Sequence, residues 1–96
     1  MTTELKELFQ TAVLRVLDAN RSRWGLGVAA IGHHITPFGF SAASFASVDG
    51  FHAAIADALQ YLCDKHLAEE VPKVVGAGNR VWRIRPEGID YLDERG

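Results

Sequence analysis

Ninety-six residues are enough for one small domain with a single hydrophobic core, and 48% hydrophobic with 23% charged content excludes a disordered tail. The single cysteine, Cys63, excludes an internal disulfide, and no run approaches the roughly 20 apolar residues of a membrane span. A formal net charge of −2 is not that of a strong nucleic-acid binder, and Glu4 and Glu7 stand where a secretory leader is basic, so the expected location is the cytoplasm.

Leu5, Leu8, Phe9, Ala12, Val13, Val16 and Leu17 recur at helical spacing and predict one apolar stripe of a helix over 3–19. Thr2 or Thr3 caps it, with Glu4 favourably placed in the first turn. Asn20, Arg21 and Ser22 supply the stop. Gly25 and Gly27 follow this polar turn and not a strand, so they do not make a dinucleotide-binding loop. A second helix is expected over 28–34, anchored by Val28, Ile31 and Ile35 and ended by Pro37. Residues 36–50 are long for a connection between paired helices. The expectation is a loop with one extra helical turn near 41–47, its Phe38, Phe40 and Phe45 capping the core. The functional alternative is an exposed aromatic patch for a partner.

Asp49 is the expected N-cap of a third helix running to about His66, with Phe51, Ile55, Ala58, Leu59, Leu62 and His66 on one face. A two-stranded ribbon over 71–85 should follow, turning at Gly76-Ala77-Gly78-Asn79, whose residues tolerate positive φ. In its second strand Trp82 and Ile84 face one way and Val81, Arg83 and Arg85 the other. Pro86 opens a short closing helix with Ile89 and Leu92 on its apolar side.

The order helix, helix, helix, strand, turn, strand, short helix resembles the winged helix-turn-helix superfamily of bacterial regulators over essentially the whole chain. The passage ALQYLCDKHLAEEV, residues 58–71, is similar to the family's ALxxLxxxGLxEE run from recognition helix to wing. RVWRIRPEGIDYL, residues 80–92, is similar to its closing xYYRLTPEGxxxL. Trp24-Gly25-Leu26 before the second helix resembles PadR-type regulators. Two positions depart from the pattern: His66 replaces the glycine of the helix-to-strand turn, and Arg85 replaces the threonine before the last helix. The resemblance implies an α+β winged-helix domain spanning 1–96, a regulator acting on double-stranded DNA, and a homodimer joined through its terminal helices.

Phosphate neutralisation supplies most DNA affinity, and base edges are read by polar side chains in the major groove. Residues 71–86 hold Lys73, Arg80, Arg83 and Arg85 with no acid, the natural phosphate contacts of a wing. Asn79 at the wing tip, His52 and Ser47 at the start of the third helix, and Arg21 and Arg23 near the second complete the DNA-binding candidates. The structural alternative is an edge ribbon whose basic residues discourage aggregation. Against DNA, residues 49–70 hold Asp49, Asp57, Asp64, Glu69 and Glu70 against Lys65 alone. The competing use is therefore a protein-interaction module working through the acidic third helix and the Phe38/Phe40/Phe45 loop. Cys63 and His66 could form half of a zinc site with His33 or His34, but a buried thiol and a helix-terminal imidazole explain them more simply. No metal and no cofactor is expected. Nor is an enzyme: Gly39-Phe40-Ser41 lacks the strand-turn-helix setting of a nucleophile elbow.

Overall fold

The computed structural model describes residues 2–21, 25–71 and 80–95. Among them are four α-helices and a two-stranded antiparallel sheet, so the class is α+β. Helix α1 spans Thr3–Ala19, with the Thr2 hydroxyl accepting from the Leu5 amide at 3.2 Å. It ends where both the backbone and side-chain amides of Asn20 donate to the Val16 carbonyl. Burial begins only at Phe9 and continues through Ala12, Val13, Leu14, Val16 and Leu17. Leu5 and Leu8, expected in the same stripe, lie beyond the core and remain exposed.

Leu26 forms a single antiparallel rung with Trp82, its amide donating at 2.7 Å and its carbonyl accepting at 2.8 Å. Gly25, at φ +75°, makes that approach possible, since a Cβ there would stand 2.7 Å from the Trp82 carbonyl oxygen. Helix α2 follows over Val28–His34. The long connection then makes two 3₁₀ turns, Thr36–Phe38 and Ala42–Ser44. Phe40 meets Phe9 edge-on at 5.0 Å, and Phe45 packs between Phe9 and Phe51 at 5.5 and 5.2 Å. The phenylalanines close the core.

Helix α3 spans Val48–Asp64. Its N-cap is Ser47, whose Oγ accepts from the Gly50 amide at 2.9 Å, and not Asp49 as the sequence suggested. Asp49 instead contributes negative charge to the first turn, where the helix dipole favours it. Phe51, Ile55, Ala58, Leu59 and Leu62 are buried against α1 and α2. The helix stops two residues sooner than expected. The Leu67 amide reaches the Leu62 carbonyl at 2.9 Å and the His66 amide reaches Cys63 at 3.0 Å. These paired bonds form a Schellman close, which requires a left-handed residue. That residue is His66, at φ +60°, where glycine would carry no steric cost.

Strand β1, Ala68–Glu70, begins three residues before the expected wing and pairs with β2, Trp82–Ile84. Register sets Ala68 opposite Ile84, Glu69 opposite Arg83 and Glu70 opposite Trp82. Trp82 is buried and Ile84 packs on the core, while Arg83 is directed outward. The expected turn at 76–79 lies outside the described residues. Helix α4, Pro86–Arg95, is a full ten residues and packs on α1 through buried Leu92. Its Gly88 sits against the Leu67 carbonyl, leaving no room for a side chain. No helix among the described residues is long and apolar enough to cross a membrane.

Candidate functional site

Two charged surfaces flank the end of α3. The first is the β1–β2 ribbon. Because Glu69 lies opposite Arg83 in the register, their side chains meet on the outer face, Nε to Oε1 at 2.6 Å. The same carboxylate accepts from Arg85 at 3.1 Å, and Arg85 also donates to Glu87 at 3.0 Å. Arg80 grips Glu70 with two nitrogens, at 2.8 and 3.0 Å, and lies over the Trp82 ring with its guanidinium carbon 5.0 Å from the centroid. This fork is a planar, bidentate arrangement that only arginine makes. The Glu70 hydrogen bond raises the Arg80 pKa further, and the Glu87 bond does the same for Arg85. Glu87 responds in the opposite direction: its own amide at the α4 N-terminus and the Arg85 side chain hold its carboxyl below the usual value.

The ribbon's described arginines are therefore neutralised within the chain. Arg21 is likewise held by Asp18 at 2.6 Å, the i, i+3 pairing of a helix end. Ser47 serves as a cap, and His52 is half-buried with Nε2 turned toward Gly32 of α2, not outward for a base edge. Arg23, Lys73 and Asn79 lie outside the described residues. Of the nine candidates for DNA contact, the four described arginines all have carboxylate partners. Sequence reading missed two of those partners, Glu69 and Glu70, because they fell at the edge of an acidic segment. The cross-strand register would have revealed them.

The second surface is the outer face of α3. Asp49, Ala53, Ala56, Asp57, Gln60, Tyr61 and Asp64 are all exposed there. Their spacing, with carboxylates two turns apart, draws one acidic stripe along the helix. Gln60 donates to Asp64 at 3.0 Å, and Asp49 and Asp57 have no cationic partner among the described residues. Ala53 and Ala56 keep the stripe low between the acids, and Tyr61, 41% exposed, adds an apolar ring with a polar tip.

Between the surfaces a cavity of about 280 Å³ is lined by Gln60, Cys63, His66, Arg80 and Trp82 among others. Burial, and then the nearby Glu70 and Asp64 carboxylates, push the Cys63 thiol up, which makes it a poor nucleophile at neutral pH. Among the described residues no group of three His, Cys, Asp or Glu side chains is arranged to hold a metal ion. Compared with protein-family models, curated proteins and solved structures, the chain matches none.

Proposed function

We propose that this chain is a winged-helix domain that works as a protein-interaction module, offering the acidic outer face of α3 to a basic partner surface. The winged-helix part rests on element order. A helix, a single rung at Leu26, two helices and an antiparallel ribbon follow one another, and the rung and β1 flank the same strand β2. The interaction part is carried by one observation: the arginines that would engage phosphates are engaged already by Glu69, Glu70 and Glu87. Duplex DNA meets a helix through its recognition face, and here that face carries Asp49, Asp57 and Asp64, like in charge to phosphate. A protein surface rich in lysine or arginine complements it.

DNA binding keeps one support. The ribbon's ion pairs are solvent-exposed, the Arg80 side chain by 55%, and surface pairs are weak enough for a phosphate to displace the carboxylate. Two titrations separate the readings. Against random duplex DNA, no salt-dependent binding is expected near physiological ionic strength, whereas a log–log slope of about −0.9 per engaged phosphate would restore the DNA reading. Against a ten-residue poly-lysine peptide, amide shifts should concentrate at Ala53, Ala56, Asp57 and Gln60 and vanish in Asp57→Lys. Shifts confined to the ribbon would end the proposed use of α3.

A further inference from the structure

Gln10 is the one buried polar side chain among the described residues, at 7% exposure. Its amide makes no hydrogen bond with any of them, and leaving such a group unpaired is costly. Among the described residues no sealed side-chain nitrogen or oxygen lacks a partner, so the amide must open onto free space. That space is a cleft of about 60 Å³ where α1, α3 and α4 meet, walled by Tyr61 of α3 and Tyr91 of α4. Glu7, one turn before Gln10 on α1, and Arg95, one turn after Tyr91 on α4, line it as well. The Arg95 guanidinium carbon lies 4.3 Å from the centroid of the Tyr91 ring. Stacking occupies the face of the guanidinium and leaves its in-plane N–H groups to donate. Neither Glu7 nor Arg95 has an ion-pair partner among the described residues, and they do not pair with each other.

We infer that the cleft holds a small free α-amino acid as its zwitterion. An amide presents an acceptor and an N–H donor pair side by side, whereas an ammonium only donates and a carboxylate only accepts. The Gln10 carbonyl therefore suits the ammonium and its NH₂ suits the carboxylate, so one ligand answers both halves. Glu7 and Arg95 supply the matching charges, negative for the ammonium and positive for the carboxylate. Water satisfies the hydrogen bonds but leaves both charges unanswered. A simple cation meets repulsion from Arg95, and a simple anion meets it from Glu7. The volume equals that of about two water molecules in the liquid, enough for an amino-acid head group and too little for a bulky side chain. The cleft shares only Tyr61 with the acidic face of α3, so its ligand does not depend on what that face binds.

Glycine titrated into the isotope-labelled full chain should shift the Gln10 side-chain NH₂ signals and saturate, with a Kd of about 0.1–1 mM for so few ligand atoms. Acetate and methylamine, each carrying half of the zwitterion, should bind more weakly by about ten-fold or more. Glu7→Gln and Arg95→Gln should each weaken glycine binding by about ten-fold or more. Both side chains are exposed, so the melting temperature of the free chain should not move. Gln10→Met should abolish binding while holding or raising the melting temperature, since an unpartnered buried amide gives way to an apolar chain of similar length. The absence of a saturable shift at the Gln10 side chain by about 50 mM glycine overturns the inference. So does acetate or methylamine matching glycine, or an affinity indifferent to Glu7→Gln and Arg95→Gln. A Gln10→Met chain that loses stability overturns it too, because the amide would then serve the fold.

Discussion

The β1–β2 ribbon and the outer face of α3 are both conspicuously charged in sequence, but they offer a partner very different surfaces. Along the ribbon, each described arginine ends on a carboxylate supplied by the neighbouring strand or the next helix. Along α3, Asp49 and Asp57 face outward unanswered among the described residues. A run of like charge in sequence is therefore not yet a field at the surface. Whether it becomes one depends on which strand lies beside it. Antiparallel pairing brings residues 69 and 83 together across fourteen positions of chain, and no such pairing reaches Asp49 or Asp57 among the described residues.

The largest expected effect tests whether the ribbon is fixed to the core at all. Trp82 is 5% exposed, hydrogen-bonded through its backbone to Leu26 and packed in the cluster built on α1 and α3. Trp82→Ala should lower the unfolding free energy in urea by about 3–5 kcal/mol, the usual cost of emptying a buried aromatic site. Asp57→Asn, on the exposed stripe, should change it by less than about 0.5 kcal/mol. Comparable losses at the two positions would mean that ribbon and helix face are not energetically distinct.

A charge experiment sharpens the same contrast. Replacing both Glu69 and Glu70 by glutamine releases Arg80 and Arg83 and leaves Arg85 with Glu87 alone. The ribbon should then gain salt-dependent affinity for random duplex DNA, with a slope of about −2 on a log–log plot, one unit for each freed arginine. If the double variant binds DNA no better than the parent, self-neutralisation is not what limits the ribbon.

Much of the fold was readable in the sequence. Periodicity fixed the bounds of α1 and α2, because a 3.6-residue repeat ended by Asn20 or approached by Pro37 leaves little freedom. The phenylalanines of 36–50 were also readable as core material, though the two 3₁₀ turns that hold them were not both foreseen. What sequence left out was register and exposure. Whether Leu8 is buried, or whether Glu69 meets Arg83, depends on how far one element extends past another, and no local pattern encodes that. The N-cap of α3 was misjudged for a local reason: Ser47 and Asp49 are both good caps, and Val48 proved able to begin the helix.

His66 was visible as a departure from the expected glycine, and the structure gives the departure an energetic meaning. A non-glycine residue in the left-handed region is strained by about 1–2 kcal/mol. His66→Gly gives back part of that to unfolded-chain entropy, so a net stabilisation of about 0.5–1 kcal/mol is expected in denaturant unfolding. The Schellman bonds to Leu62 and Cys63 should persist. A loss of stability would show that the imidazole makes a contribution larger than the strain, and β1 would then be held by His66 itself and not by the turn it completes.

The smallest effect concerns pH, and it acts on the ribbon side of the comparison. Glu87 has a lowered pKa in the folded chain, because the α4 N-terminus and Arg85 both favour its ionised form. Folding is thus helped by the charged carboxylate at pH above its ordinary value of 4.5, and that help fades as pH falls through the lower, folded value. Glu87→Gln should reduce stability slightly at neutral pH and flatten the acid side of the melting-temperature curve between about pH 6 and about pH 3. Protonation also withdraws one of the two carboxylates from Arg85. Acid should therefore uncover positive charge on the ribbon at Arg85. Superimposable acid limbs for the parent and Glu87→Gln would remove Glu87 from this coupling and leave Glu69 as Arg85's effective partner.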